Sequence, residues 1–263
     1  MSMSTLALLN ASCIVGGAGL LREASISFAA GRFAAILGPN GAGKSTLLSL
    51  LSGQRSASQG RVLLDDAPLA SHATGELARR RALLPQDLSI AFDYTVREVV
   101  ELGRYPHRRQ PSRLEAEIVQ RAMQAAGVAA LAHRVLNTLS GGERARAQLA
   151  RVLAQIWEPL PAGETRWLLL DEPTAALDVH HQHAMLRLAR GWAHEHGVGV
   201  IAVLHDLNLA LRYADQAVVL QQGRVQADGP PGDVLALETV QRIWQVNAFP
   251  VRDADGCLQL LMG

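Results

Sequence analysis

Nine consecutive residues say most about this chain: Gly38-Pro39-Asn40-Gly41-Ala42-Gly43-Lys44-Ser45-Thr46. The three glycines allow successive backbone N–H groups to point into one concavity, which suits an anion. Lys44 adds a positive charge for terminal phosphates, and Ser45 offers a hydroxyl to the Mg²⁺ that accompanies them. The stretch therefore predicts a site for the phosphates of a nucleotide.

The segments on either side agree with this interpretation. Phe33–Leu37 is apolar throughout, as in a buried strand, and Thr46–Leu51 begins a helix whose N-terminus adds a further positive end. The alternative is a glycine-rich turn between a strand and a helix that binds nothing. That alternative does not account for Lys44 and Ser45 standing in register with the strand and the helix.

Length and composition favour one large α/β domain or two modest lobes. The 263 residues include 25 basic and 24 acidic side chains, a formal charge of +1 that gives no general electrostatic case for nucleic acid. No apolar run approaches the roughly 18 residues needed to cross a bilayer, and the N-terminus lacks the regions of a signal peptide. Cys13 and Cys257 lie far apart, which favours a reduced cytosolic protein.

Short apolar runs alternate with helical patterns, which predicts a largely parallel sheet covered by helices. These runs are Phe33–Leu37, Trp167–Leu170, Val198–Leu204 and Ala217–Leu220. Three earlier runs indicate strands of a smaller, partly antiparallel sheet: Leu6–Leu9, Ala24–Phe28 and Arg61–Leu64.

Between Asp87 and Leu160 the strand signal disappears. Helices are predicted over Thr95–Arg104 and Arg113–Ala126, and Ser112 with Glu115 is predicted to form a capping box for the second. The tail predicts a helix over Gly232–Trp244 and a hairpin around Asp255-Gly256. We therefore expect three segments: residues 1–86 with the phosphate loop and the antiparallel sheet, residues 87–160 with the helical insertion, and residues 161–263 completing the core and carrying the tail.

Two acidic residues follow an apolar strand in Trp167-Leu168-Leu169-Leu170-Asp171-Glu172. Ligands of parallel sheets bind at the carboxyl ends of the strands. Asp171 is therefore placed to hold Mg²⁺, and Glu172 to polarise a water for attack on the γ-phosphate. A helix cap after an ordinary strand is the structural alternative.

A second glycine pair occurs in Leu139-Ser140-Gly141-Gly142-Glu143. Ser140 and Glu143 match a capping box for the helix that follows. The adjacent glycines exceed what capping requires, and they would let a phosphate approach the N–H groups at a helix N-terminus.

In this order the motifs resemble those of the nucleotide-binding subunits of ATP-binding cassette (ABC) transporters, over nearly the whole chain. They include Gln86 in Leu84-Pro85-Gln86, the Leu139–Glu143 signature, Asp178 after Ala175-Ala176-Leu177, and His205 after an apolar strand. The resemblance implies the P-loop ABC fold, a RecA-like core with an antiparallel β subdomain and an α-helical subdomain. It also implies ATP and Mg²⁺ as ligands.

The resemblance implies roles for these residues. Gly38–Thr46 would bind the phosphates, and the positive charge of Lys44 would contact the terminal phosphates. Ser45, Asp171 and Gln86 would hold Mg²⁺. Glu172 would be the catalytic base, Gln86 would link the metal and the water to the helical insertion, and His205 would contact the γ-phosphate.

A head-to-tail homodimer is also implied, with two ATP molecules at its interface. Each ATP would lie between the phosphate loop of one copy and Ser140, Gly141 and Gly142 of the other, and Asp178 would contact the partner. One departure stands out. Val15 occupies the position where relatives place an aromatic residue against adenine, which implies loose selection of ATP over GTP.

The chain would then serve a separate permease dimer from the cytoplasmic face of a bacterial inner membrane. Ala91–His107 lies where members of the family dock their permease. The sequence of this segment resembles that of the ATPases of bacterial importers of iron chelates, haem and cobalamin. The 157–165 insertion, the missing aromatic and the tail are most similar to haemin-importer ATPases, which also use a periplasmic haem-binding protein. Ferric siderophores and cobalamin remain the alternative cargoes.

A soluble ABC ATPase acting on ribosomes or DNA is the rival from another class. Such proteins carry a second cassette or long coiled-coil insertions, and this chain shows neither. His180, His181 and His183 suggest a metal or haem site, but without acidic or Cys partners at ligand spacing a solvated helix face is the better interpretation.

Overall fold

A computed structural model describes residues 4–87, 92–254 and 256–263 of the chain. Its strands are β1 (Thr5–Val15), β2 (Ala18–Ala29), β3 (Phe33–Leu37), β4 (Gln59–Leu64), β5 (Ala67–Pro68), β6 (Arg81–Leu84), β7 (Trp167–Asp171), β8 (Gly199–Val203), β9 (Gln216–Gln221), β10 (Arg224–Gly229), β11 (Ala248–Arg252) and β12 (Leu258–Met262).

The helices are α1 (Lys44–Leu51), α2 (Thr74–Arg80), α3 (Val96–Leu102), α4 (Glu115–Ala125), α5 (Gly141–Gln155), α6 (Val179–His196), α7 (Leu207–Tyr213), α8 (Pro231–Val234) and α9 (Leu237–Trp244). Short 3₁₀ turns lie at Leu69–Ser71, Tyr105–His107, Ala129–Leu131 and Leu136–Thr138.

The central sheet has six strands in the order β10-β9-β3-β8-β7-β6. All neighbours are parallel except β9 and β10. Every residue of β3 and β8 is buried, as expected for strands with helices on both faces. The carboxyl ends of β3, β6, β7 and β8 meet at one edge, and this edge carries the phosphate loop, Gln86, Asp171, Glu172 and His205.

A second, antiparallel sheet has the order β2-β1-β4-β5 and covers one side of the core. Its first strand is longer than the predicted Leu6–Leu9, because bulges interrupt the alternation on which the prediction rests. The pairing shifts register after Leu8, and Asn10 has a left-handed backbone with φ of 47°. A bulge places two residues opposite one and hides the rest of the strand from a period-2 pattern.

Helices α3, α4 and α5 pack against one another and carry the segment that lacks strands. Their buried residues include Val99, Val100, Ile118, Met123 and Leu149, which join the core beneath the central sheet. Within the described residues, no helix is long and apolar enough to cross a membrane.

Two local predictions are wrong. The helix after Ser112 begins only at Glu115, and Ser112 Oγ accepts from Leu114 N, 3.2 Å away, instead of capping it. The Glu115 carboxylate is held by Arg104 at 2.8 Å, so it accepts from Ser112 N without a complete capping box. The predicted helix over Gly232–Trp244 is divided into α8 and α9, and the break allows Leu235 to be buried between them.

The tail forms the expected hairpin, β11 paired with β12. Asp255 of its turn and Ala91, at the start of the predicted permease-docking segment, lie outside the described residues.

Candidate nucleotide site

The phosphate loop connects β3 to α1 and needs glycine at two positions. Gly38 and Gly43 have φ of 144° and 101°. A Cβ on Gly38 would lie 2.1 Å from the carbonyl oxygen of Leu220, and one on Gly43 would lie 2.6 Å from that of Leu20. Gly41 also has a left-handed backbone, with φ of 76°, but has open space around it. The loop therefore packs closely against neighbouring backbone at Gly38 and Gly43, whereas Gly41 faces open space.

Lys44 is folded over this loop. Its side chain is buried, and Nζ donates hydrogen bonds to the carbonyl oxygens of Gly38 at 2.9 Å and Pro39 at 3.0 Å. Burial lowers the pKa of Lys44, while the carboxylates of Glu172 and Asp171 oppose that shift. The ammonium group therefore sits between the loop and the two acidic residues at the end of β7.

Ser45 and Asp171 join the loop to β7. Ser45 Oγ donates a hydrogen bond to Asp171 Oδ1 at 3.1 Å. Burial raises the pKa of Asp171, and the bond from Ser45 partly offsets this. Two hard oxygen donors thus lie side by side, which is the kind of ligand that Mg²⁺ takes in proteins.

Glu172 is the point where three strand ends converge. Its Oε2 accepts from Gln86 Nε2 at 2.9 Å, and its Oε1 lies 2.7 Å from His205 Nε2. Gln86 follows β6, and His205 follows β8. The backbone of Glu172 has φ of 50°, a left-handed conformation that costs a non-glycine residue roughly 1–3 kcal/mol. Such strain is typical of positions held for a functional reason.

Ser140 caps α5 as the sequence predicts. Its Oγ accepts from Glu143 N at 3.2 Å, and its own N–H donates to Glu143 Oε2 at 2.9 Å. The bond from the Ser140 backbone lowers the pKa of Glu143. A Cβ on Gly142 would lie 3.3 Å from Ala176 O. The glycine pair therefore also lets the start of α5 pack against the loop before Asp178.

Asp178 caps α6 and is exposed. It accepts from His181 N at 2.9 Å and lies 2.8 Å from His181 Nδ1, and the backbone bond lowers its pKa. His183 does not lie on a solvated face, because it is partly buried and its Nδ1 is 2.7 Å from the hydroxyl of Tyr213. Among the residues that the structure describes, no three His, Cys, Asp or Glu side chains are placed to hold a metal ion.

The predicted residues therefore fall into two groups. The loop Gly38–Thr46, Gln86, Asp171, Glu172 and His205 adjoin one another, whereas Ser140, Gly141, Gly142 and Asp178 adjoin each other through residues 176–177. Both groups carry exposed polar residues, Ser45 and His205 in the first and Ser140 and Asp178 in the second.

Leu20 is a site residue that the sequence did not reveal. A cavity of about 240 Å³ beside the phosphate loop is lined by Leu20, residues 40–46 and Glu172. Val15 ends β1 and is 45% exposed. The contact of Leu20 with the loop depends on the β1–β2 turn, and a spacing argument along the chain does not contain it.

Comparison with known proteins points to one family. The family model described as ABC transporter matches residues 21–175. The chain is 44% identical over 244 residues to the Hemin import ATP-binding protein HmuV of Bordetella pertussis, covering 93% of each chain. It is 49% identical to the protein of the same name from Rhodococcus jostii, covering 91% of this chain and 80% of that one.

Solved structures have the same fold. A putative metal-chelate type ABC transporter in an inward-facing conformation superposes with a TM-score of 0.82 at 24% identity, covering 100% of this chain and 98% of that one. A dimeric, post-hydrolysis ATP-binding cassette bound to ADP and Pi has a TM-score of 0.75 at 26% identity, covering 86% of this chain and 98% of that one.

Proposed function

This chain belongs to the ABC transporter family and is an ATPase of that family, and we propose that the ATP it hydrolyses powers haem import into a bacterial cell. The observation that carries the catalytic part is the contact of Glu172 with both Gln86 and His205. The relatives named for hemin import, at 44–49% identity, support the cargo.

Phosphate binding falls to the loop and Lys44. The N–H groups of the loop and the N-terminus of α1 offer positive ends to the anion. Lys44 would exchange its bonds to two loop carbonyls for bonds to the β- and γ-phosphates. Because its charge already lies over the loop, little side-chain movement is needed.

Ser45 and Asp171 would hold Mg²⁺, and their adjoining oxygens fit that ion. Bound there, the metal would neutralise charge on the phosphate oxygens. Gln86 offers a further amide oxygen from the end of β6. Ionisation of Asp171 is opposed by burial, so the carboxylate would gain from a cation beside it.

Glu172 would accept the proton of the attacking water. Gln86 and His205 orient its carboxylate from two sides, so the accepting oxygen is fixed before the substrate binds. The side chain of His205 is 46% exposed, which leaves its ring able to turn from Glu172 to a γ-phosphate.

The second group of residues would complete the site in a partner copy. Ser140, Gly141 and Gly142 present a capped helix N-terminus, and Asp178 presents an exposed carboxylate. A head-to-tail homodimer would bring each capped helix against the other copy's phosphate loop, and two-fold symmetry gives two equivalent sites.

A permease dimer would bind the predicted docking segment Ala91–His107. Phe92 is 68% exposed and Tyr105 is 59% exposed. Large exposed aromatic side chains of this kind are enriched at protein interfaces. The chain would thus act at the cytoplasmic face of the inner membrane, with a periplasmic haem-binding protein delivering cargo on the other side.

The test is ATP hydrolysis by the complex that co-purifies with this chain, reconstituted in liposomes. Haem-loaded, ferric siderophore-loaded and cobalamin-loaded binding proteins are compared, with Glu172→Gln as the inactive control. Stimulation by haem alone is expected. Stimulation by another cargo would refute haem, and recovery of the chain with ribosomes or nucleic acid instead of a permease would refute the importer.

A further inference from the structure

Three elements meet at Gln155, the last residue of α5. Its side-chain Nε2 donates to the carbonyl oxygen of Ala78 at 2.7 Å and to that of Arg81 at 3.0 Å. Its own carbonyl oxygen accepts from His107 Nε2 at 2.8 Å. One residue therefore joins the end of α2, the start of β6 and the 3₁₀ turn Tyr105–His107.

The strand held by this amide leads to the catalytic group. Arg81 is the first residue of β6, and Gln86 lies five residues on, about 17 Å along an extended chain. Ala82 and Leu84 are buried, and β6 pairs with β7 in parallel register. A shift at Arg81 is therefore carried along a supported strand toward the amide that contacts Glu172.

The helix that ends at Gln155 begins at the cap Ser140. Its 15 residues span about 22 Å. Most of its inward side is buried, from Ala145 to Ala154. A displacement at its C-terminal end therefore moves its N-terminal end as well.

The outer side of the junction faces the segment proposed to bind the permease. Arg104 is buried and donates to the carbonyl oxygen of Ala154 at 2.8 Å. Arg104 also pairs with Glu115 and Glu158 at 2.7–2.8 Å. Residues 104–107 thus hold the last two carbonyls of α5 from outside.

The junction is reachable by a partner. A cavity of about 260 Å³ opens beside it, lined by Arg79, Pro106, His107, Arg109 and Gln110. Tyr105, in the same turn, is largely exposed. A partner segment resting on this turn would press on His107 and, through it, on Gln155.

We propose that Gln155 is a positioning residue that couples the docking turn Tyr105–His107 to β6 and so to Gln86. This inference rests on the proposed function, because it assigns the turn to a permease. Gln155 touches neither nucleotide nor metal in this account. The two hydrogen bonds that its side chain donates hold the start of β6, and its carbonyl oxygen holds the docking turn through His107.

Two variants remove the donors in different ways. Gln155→Met keeps an unbranched side chain of similar length without N–H groups, and Gln155→Glu keeps the shape with acceptors only. Gln120→Leu is the matched control, because it removes the 3.0 Å bond from Arg97 within the helical segment and leaves the junction intact.

The measurement is ATP hydrolysis by the isolated chain and by the full complex in liposomes, with whichever cargo-loaded binding protein stimulates the wild type. Both Gln155 variants are expected to keep the isolated chain's kcat and KM for ATP within twofold, because the pairing of β6 with β7 still supports Gln86 when no permease is bound. Both are expected to lower the stimulation factor of the complex at least fivefold, whereas Gln120→Leu leaves it unchanged.

Stimulation within twofold of wild type in both Gln155 variants would overturn the proposal. An equal loss of basal and stimulated rates, with a lowered melting temperature, would also overturn it, because that result indicates a merely structural bond. A cargo other than haem changes the proposed function and leaves this comparison intact. A wild-type chain without ATP hydrolysis would overturn both.

Discussion

Replacing Glu172 by Gln is expected to leave ATP binding intact and to slow hydrolysis by about 10²–10⁴-fold, the usual contribution of a positioned general base. This corresponds to about 2.7–5.4 kcal/mol in the activation barrier. The amide keeps the shape of the carboxylate and accepts from Gln86 through its oxygen, but it cannot take a proton from water. Because neither Lys44 nor Ser45 is altered, the phosphate loop is unchanged.

The assay combines phosphate release in single-turnover conditions with equilibrium binding of ATP. Size measurement by light scattering follows the dimer, which should accumulate with ATP in the variant because hydrolysis no longer releases it. The matched control is Glu195→Gln, the same carboxylate-to-amide change at an exposed position of α6 outside the site, which should leave hydrolysis unchanged. Hydrolysis by Glu172→Gln within tenfold of wild type would refute the assignment of the base.

Three other outcomes follow from the structure. Gly43→Ala should unfold at a clearly lower urea concentration than Gly41→Ala. Both positions have a left-handed backbone, but only a Cβ on residue 43 would lie 2.6 Å from the carbonyl oxygen of Leu20. Equal unfolding midpoints would contradict this. Asp171→Asn without nucleotide should be at least as stable as wild type at pH 7–8, because burial raises the pKa of Asp171 and its ionised form opposes folding. The difference in stability between Asp171→Asn and wild type should vanish as the pH falls below 3.8, the ordinary pKa of an aspartate. A variant less stable than wild type at pH 7 would contradict this prediction. Arg104→Met should lower the free energy of unfolding in urea by about 2–4 kcal/mol. This is near or below the roughly 3–5 kcal/mol of a broken buried pair, because Glu115 and Glu158 are about one-third exposed. A loss of stability under about 1 kcal/mol would contradict the prediction.

The sequence predicts the parallel core well because its strands are continuous apolar runs. Phe33–Leu37 matches β3 at both ends, and Trp167–Leu170 matches β7 to within one residue. Both strands are buried on two faces, so no alternation is needed to recognise them. Local pattern and tertiary environment agree there.

The prediction fails where tertiary contacts override a local rule. Ser112 and Glu115 have the spacing of a capping box, yet Glu115 is drawn to Arg104, a residue eleven positions earlier that is 6% exposed. Ser140 and Glu143 have the same spacing and form the box. Among the described residues, the ion-pair partner of Glu143 is Arg134, and it lies 4.0 Å away. Spacing alone does not distinguish these two cases.

In the candidate site, too, the motifs could be predicted from the sequence but the contacts between them could not. Each motif could be found by spacing, but the way Gln86 and His205 both bind Glu172 depends on three strand ends that are distant in the chain. Leu20 reaches the phosphate loop only because the β1–β2 turn lies beside it. The sequence holds no local signal for either contact.

The most direct test of the account is uptake of haem into liposomes that contain the chain with its permease, with ATP supplied on the side of the chain and haem-loaded binding protein on the other. The account predicts ATP-dependent accumulation of haem that disappears in the Glu172→Gln complex. Uptake of a ferric siderophore or cobalamin in place of haem, or haem uptake that persists in the Glu172→Gln complex, would contradict it.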